Sequence, residues 1–581
     1  MDRSTDNKIL SFVLISLALF TKFVIFRFLV ELDSGITTGE FIAAYAACAS
    51  AAMFLSLPIL AKHGIITSII ILIFTDLWLL ANCWYFAANN FFIQWSVILF
   101  ATELRGFETS ILSFIEWQNF LFPIITFALS SFLILFRKEI KQHALCPKTC
   151  WTILLITVVL FIISACARFT NRPDIYADAD KWSANEEENT FLRTHSPLGH
   201  FAYVLYGGIK ESMLHLQSVL PFTEREKNIL SQVCTNPQQS TPPSAHLVFV
   251  LVESLESWAL EATDIHGDYV TPNIHRYICE RPVLYCRNLY SQQQYGRSGD
   301  GQLITQTGLL PLRNGIACMS HGDNTYPNYA HFYPNSVILN PYQGVWNQRV
   351  TTRSYGYQRL REPKFFLHGN DSMVFQWTRE ELCTADTPTC VLAITINTHA
   401  PFKSVKPELT LPDSYAPAEQ SYLQCVHYFD RQLGHFLSWT DTASIMLNST
   451  FIITADHNHF PVTETRGKCP LIIASPAITQ KIEIETAYQM DIFPTLLHAI
   501  NQNYFWHGLG IDLLNLPSSA HSQTLGTQEQ KPSSTINPST PNPSHLNLST
   551  TRHSPRPITP HEASVLSDKL IRTNYFSTHT P

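Results

Sequence analysis

Charged side chains are scarce in this chain. Asp, Glu, Lys and Arg make up 15% of its 581 residues, and the net charge is only −7. With no basic excess, nucleic acid is excluded as a partner, because binding it needs a positive surface. None of the 13 cysteines forms a Cys-x-x-Cys pair, so a zinc knuckle has no support. Between Pro517 and Pro560 there is no aromatic residue at all; Ser, Thr, Pro, Asn and His dominate. Such a segment buries too little apolar surface to offset chain entropy, and a disordered tail is expected over 517–581. Long apolar runs are missing beyond about residue 172.

Before that point such runs dominate. A hydrocarbon core about 30 Å thick needs roughly 20 apolar residues as helix. Segments near that length run Ile9–Val30, Phe41–Leu60, Ile65–Ala87, Ile111–Phe136 and Trp151–Ala167, giving a five-helix transmembrane domain over 1–170. Phe91–Ala101 is apolar but short, and reads as an interfacial helix or buried lid. Lys22 and Arg27 interrupt the first run. No small-residue cleavage site follows it, so it reads as a true span whose basic residues snorkel or face the bundle. Arg137, Lys138, Lys141 and Lys148 lie between the last two spans and Lys62 between the second and third, whereas the loop after the first has only acidic charge. The positive-inside rule then places the N-terminus inside and everything beyond about residue 170 outside. Arg105 is a minor exception. Eight cysteines follow residue 200; that compartment permits disulfides, and buried free thiols fit as well.

Residues 171–240 read as a connector, and an α/β domain follows over 241–516. His246–Val252, Val391–Ile396, Phe451–Ala455 and Leu471–Ala474 are short apolar runs typical of buried strands. Helical stretches such as Ala418–Trp439 and Ala487–Ile500 alternate with them, which implies a parallel sheet covered on both faces. Ligands of such a sheet bind beyond the carboxyl ends of its strands. There the chain places Glu253, then Asn397-Thr398-His399, then Asp456-His457-Asn458-His459. Glu253, Asp456 and His457 offer two carboxylates and an imidazole, a donor set for Mn²⁺, Mg²⁺ or Zn²⁺. The Gly-rich loop Tyr295–Gln302 supplies a nucleophile, Ser298, ahead of a helix whose N-terminus attracts phosphate. His459 reads as a surface histidine, with a further metal ligand or a partner of one as the alternative.

These residues resemble the lipoteichoic acid synthase family of phosphoglycerol transferases, within the alkaline phosphatase and sulfatase superfamily. The matching stretches are Leu251–Ser254, Gly296–Gly301, Phe366–Asn370, Thr398–Phe402, Ala455–His457 and Gln489–Leu497, in the family's order after a five-span membrane domain. The resemblance implies one divalent metal, typically manganese, held by Glu253, Ser298, Asp456 and His457. It puts Ser298 at the nucleophile position, where lipoteichoic acid synthases carry Thr. His399 and His368 would contact the substrate head group and its phosphate, and His399 or His368 would assist the leaving group. Trp377 and Arg379 would match a Trp-x-Arg pair, with a longer spacer than the family's. Asn458 stands where the family's Asp-His-Gly has Gly. The implied reaction moves a phosphorylated head group from a membrane phospholipid donor to an envelope glycan or glycolipid acceptor through a phosphoserine. The implied location is a bacterial plasma or inner membrane, with the catalytic domain outside. A phosphoethanolamine transferase shares this set and is the alternative. A sulfatase needs Pro and Arg shortly after the modified residue, and Gly299-Asp300-Gly301-Gln302 has neither. A non-catalytic protein of this fold would be expected to have lost part of the set, and all four metal-site residues are present.

Overall fold

The computed structural model describes residues 3–578, apart from 34–35, 62–63, 90–91, 99–114, 141–146, 171–191, 193, 236–242, 244, 344, 364–368, 461 and 517–557. It divides into two compact units, one of residues 1–220 with 312–316, the other of 221–311 with 317–581. The stretch read as a connector is thus shared between them: helix Pro197–Ser218 belongs to the first unit and helix Glu224–Val233 to the second.

The first unit holds five helices long and apolar enough to cross a membrane, Asn7–Leu29, Thr38–Leu60, Gly64–Ala87, Trp117–Leu135 and Thr149–Ala167. Residues 111–114 of the fourth expected span lie outside the described residues. The two basic residues of the first span face the bundle. Lys22 is fully buried and pairs with Asp76 of the third span at 2.5 Å. Thr126 of the fourth span contacts Lys22 Nζ and donates to Asp76 Oδ2 at 2.5 Å. Arg27, equally buried, pairs with Asp33 at 2.6 Å and donates to the carbonyl of Leu192 at 2.9 Å. Each charge is neutralised inside protein, which is how a charged group is tolerated at membrane depth.

The second unit is built on an eight-stranded sheet. Its strands are β1 His246–Val252, β2 Leu284–Tyr290, β3 Asn335–Leu339, β4 Arg359–Arg361, β5 Thr389–Ile394, β6 Ser449–Ala455, β7 Cys469–Ala474 and β8 Ile482–Tyr488, in spatial order β4-β3-β5-β1-β6-β7-β2-β8. The central strands β1 and β6 run parallel and are buried almost end to end, which is why their sequences read as unbroken apolar runs. The expected all-parallel sheet is corrected at β7, which is antiparallel to both β6 and β2. The four strands missing from the sequence reading are β2, β3, β4 and β8. β2 and β8 are only partly buried, at Leu284, Cys286 and Leu289 and at Ile484 and Ala487, and a register shift interrupts β2 between Cys286 and Leu289.

The tail is a second correction. Residues 517–557 lie outside the described residues, but 558–578 are ordered. Helix Pro560–Arg572 starts on a capping box, with Thr559 and Glu562 bonding each other's backbone N–H. It buries Ala563, Leu566, Leu570 and Ile571 in the second unit.

Candidate active site

β1 and β6 are parallel neighbours in register, Val252 opposite Ala455, so the residues that follow them emerge side by side. Glu253, Asp456 and His457 therefore converge, with one ligand atom from each lying within 4.8 Å of the others. His457 Nε2 is 3.6 Å from both Glu253 Oε1 and Asp456 Oδ2. His457 Nδ1 donates to the Asn458 carbonyl at 3.0 Å, which leaves the Nε2 lone pair toward the carboxylates. The Asn458 side chain itself donates to the Phe460 carbonyl at 2.8 Å.

Burial sets the electrostatics. It holds the Glu253 carboxyl well above the usual carboxylate range, with the Asp456 charge adding to the effect. Burial likewise raises Asp456. It pushes His457 well below the usual imidazole range, and the Arg297 charge adds to this, so the ring is neutral and able to ligate. Two desolvated carboxylates beside a neutral imidazole form a site whose deprotonated state requires a cation. These donors fit a divalent metal.

Ser298 joins this cluster from helix Ser298–Thr307. Its hydroxyl lies 3.3 Å from Glu253 Oε2 and 3.3 Å from His457 Nε2. The Gly-rich loop has a distinct task at each position. Asp300 Oδ2 accepts the N–H groups of Gln294 and Gly296 at 2.9 and 2.8 Å, folding the loop back on the helix start. Arg297 adopts φ 43°, a strained value for a side chain with a Cβ, and turns the chain abruptly into Ser298. At Gly301 a Cβ would come within 2.1 Å of the Asp456 carbonyl oxygen, so only glycine lets helix Ser298–Thr307 approach the loop that carries Asp456 and His457.

His399 follows β5, which runs Thr389–Ile394 rather than on to Ile396 as expected. The buried Asp371 carboxylate accepts the N–H groups of Ile396 and Asn397 at 2.8 and 3.1 Å and draws them out of the ladder. The Thr398 hydroxyl then reaches the Glu253 carbonyl. His399 Nδ1 donates to the Ala400 carbonyl at 2.5 Å, making Nε2 the acceptor nitrogen. Burial lowers the His399 pKa, so the ring is neutral.

Other expected site residues fall differently. His368 lies outside the described residues. Trp377 and Arg379 are not brought to the cluster. Helix Asp371–Cys383 starts at the strand-end edge and runs away from it, carrying both roughly 9–12 Å along its axis. Trp377 stacks against Arg361 and Arg379 against Trp439. His459 is half-buried: it packs edge-on against Phe402 and Phe460, and desolvation drives its pKa down to about 3.

Several supporting residues escaped sequence reading. Glu256 accepts four N–H groups, from His459, Phe460, Gly467 and the Trp258 indole, and so shapes the loop behind the metal ligands. Gln489 donates to the carbonyls of Ala455 and Asp456 at 3.1 and 2.7 Å. Arg297 acts electrostatically on Glu253, His399, His457 and His459. A charged residue inside a Gly-rich loop was the available signal for Asp300 and Arg297.

A family model described as the lipoteichoic acid synthase N-terminal domain matches residues 1–218, and one described as sulfatase matches residues 245–502. Lipoteichoic acid synthase 1 of Bacillus subtilis is 22% identical over 538 residues, covering 84% of this chain and 82% of the relative. The lipoteichoic acid synthase of Staphylococcus saprophyticus is 21% identical, covering 77% of this chain and 74% of its own. Among solved structures, the lipooligosaccharide phosphoethanolamine transferase A of Neisseria meningitidis aligns with 84% of this chain and 95% of its own, at 14% identity and a TM-score of 0.49. Two family models in succession, and relatives matched along most of their length, make this chain similar to the lipoteichoic acid synthases in its first part and to the sulfatases in its second.

Proposed function

We propose that this chain moves a phosphoglycerol head group from a membrane phospholipid to a hydroxyl of an envelope glycan or glycolipid, through a phosphoserine at Ser298, on the outer face of a bacterial plasma or inner membrane. The observation that carries the reading is the Ser298 hydroxyl, 3.3 Å from both Glu253 and His457 at the start of a buried helix. Glu253, Ser298, Asp456 and His457 would hold one divalent cation, Mn²⁺ ahead of Mg²⁺ or Zn²⁺, which when bound supplies charge neutralisation for phosphoryl oxygens and a lowered serine pKa.

The chain's own groups account for the rest. Ser298 Oγ forms a bond to phosphorus as the bond from phosphorus to the diacylglycerol oxygen breaks, and the serine proton ends on that oxygen. In the second half an acceptor hydroxyl oxygen attacks phosphorus, the Oγ–phosphorus bond breaks, and the acceptor's proton returns to Ser298. His399 Nε2, kept deprotonated by the hydrogen bond at Nδ1, is suited to relay that proton. The positive end of helix Ser298–Thr307 and the Arg297 guanidinium favour the phosphoryl charge.

The test is diacylglycerol release by the full-length protein with Mn²⁺ and a fluorescent phosphatidylglycerol, run beside labelled phosphatidylethanolamine. Release from phosphatidylglycerol is expected, abolished by chelation and lowered roughly a thousandfold or more in a folded Ser298→Ala variant. Release from phosphatidylethanolamine alone would change the head group and keep the serine; full activity in Ser298→Ala would end the mechanism.

A further inference from the structure

Helix Pro197–Ser218 carries large apolar side chains on both faces. Its inner face, with His200, Val204 and Leu214, is buried in the first unit. There the Phe201 ring meets Phe74 and Trp78 of the third span at 5.3 and 5.1 Å, and the Trp78 indole donates to the Pro197 carbonyl at 3.1 Å. The opposite face exposes Leu205, Tyr206, Ile209, Met213 and Leu216, and the stripe continues past the helix end to Leu220. Three- and four-residue spacing puts these on one line along the helix. A helix packed on one face and bathed in water on the other carries mainly polar residues outward; here the exposed polar residues are Ser212, whose hydroxyl bonds the Gly208 carbonyl at 3.2 Å, His215 and Gln217, and the large side chains of the stripe are apolar.

Two observations say what covers the stripe. The first is continuity. Ile70, Ile73, Phe74 and Leu77 are exposed along the third span, and Phe74 is itself a contact of Phe201. The lipid-facing side of the span therefore passes into the helix without a polar break. The second is the side taken by polar groups. Asn314 donates to the Gly207 carbonyl and to Glu211 at 3.1 and 2.8 Å, and Arg27 of the first span holds the Leu192 carbonyl just before the helix.

We infer that helix Pro197–Ser218 lies in the bilayer boundary with its exposed stripe among acyl chains. The partner of this surface is a lipid surface, and the helix is a membrane contact additional to the five spans. Helices of this kind bury an apolar face about 5–10 Å into the boundary region.

Nitroxide labels at Ile209→Cys, Met213→Cys and Leu216→Cys, in a full-length Cys166→Ala/Cys279→Ala/Cys383→Ala background, test it in phosphatidylglycerol–phosphatidylcholine vesicles. All three positions are exposed, so labelling disturbs no core. Collision rates with oxygen are expected to exceed those with a water-soluble nickel chelate severalfold at each, and the order to reverse at Lys227→Cys on helix Glu224–Val233. A nickel preference at the three positions would mean the stripe faces water and would overturn the inference. Low collision with both probes would mean protein covers it, whether the catalytic unit or a second copy, and would overturn it equally.

Discussion

Gly301 is the residue at which the site is least forgiving. An alanine there would drive its Cβ onto the Asp456 carbonyl, a backbone group fixed by Gln489. Gly301→Ala is expected to cost about 3 kcal/mol or more, lowering the unfolding midpoint and displacing Ser298 from the metal ligands. Retained activity with an unchanged midpoint would show that the loop can yield. A second residue-scale prediction follows from burial of Glu253 and Asp456. Both hold their protons to higher pH than ordinary carboxylates. A carboxylate whose folded pKa is raised withdraws stability as pH climbs from its unfolded value through the folded one. The metal-free protein therefore loses stability in that window, and a bound cation reverses the loss. Chelation should lower the unfolding midpoint more at about pH 8 than at about pH 6; the opposite ordering would show that neither carboxylate contributes. Such ligands were legible in the sequence because each follows a buried apolar strand. Asp300, Glu256, Asp371 and Gln489 were not, since their roles depend on the backbone groups the fold turns toward them. Glu256 and Gly467 are 211 residues apart.

At the scale of elements, the clearest departure from sequence reading is helix Pro560–Arg572. The Ser/Pro/Thr-rich stretch before it masks it, yet Thr559 and Glu562 already spell a capping box and Ala563, Leu566 and Leu570 recur at helical spacing. It packs at the end of helix Ser298–Thr307 opposite Ser298. The Ser567 hydroxyl accepts the Leu310 N–H at 2.8 Å and donates to the Leu310 carbonyl at 2.7 Å, just after the nucleophile helix ends at Gly308. Lys569 bonds the Pro221 carbonyl and Glu226 at 3.0 and 3.1 Å, and Arg225 pairs with Glu562 at 2.8 Å. The helix thus fastens the back of the nucleophile helix to helix Glu224–Val233. Leu570→Ala, at a fully buried position, should cost about 3 kcal/mol. A chain ending at residue 557 should lose activity as well as stability, and a peptide of residues 558–581 supplied in trans should restore both. Normal turnover in the truncated chain would reduce the helix to decoration. The weakly legible strands had a different cause: β2 and β8 bury only three and two of their seven residues, so neither forms an apolar run.

Among the described residues the chain is held by packing and by buried charge pairs rather than by disulfides. All twelve described cysteines are free thiols, and the seven after residue 234 lie on helices or strands of the second unit. In the membrane unit the corresponding fastening is Lys22 with Asp76 and Thr126, one side chain from each of three spans. Apolar packing alone specifies helix register weakly in lipid, where side chains are solvated equally well by acyl chains. A buried ion pair specifies it sharply, because any other register strands a charge. Removing one partner should therefore cost about 3–5 kcal/mol, since it leaves the other charge unpaired, whereas removing both costs far less. Lys22→Met and Asp76→Leu are each expected to lower the unfolding midpoint in a denaturing-detergent titration, and the double variant to recover most of the loss. Coupling of more than about 1 kcal/mol in that cycle would assign the pair a register-setting role. Additive losses would mean that Lys22 and Asp76 act separately, with Thr126 or backbone carbonyls sufficient for each, and the bundle's geometry would then rest on its apolar seams.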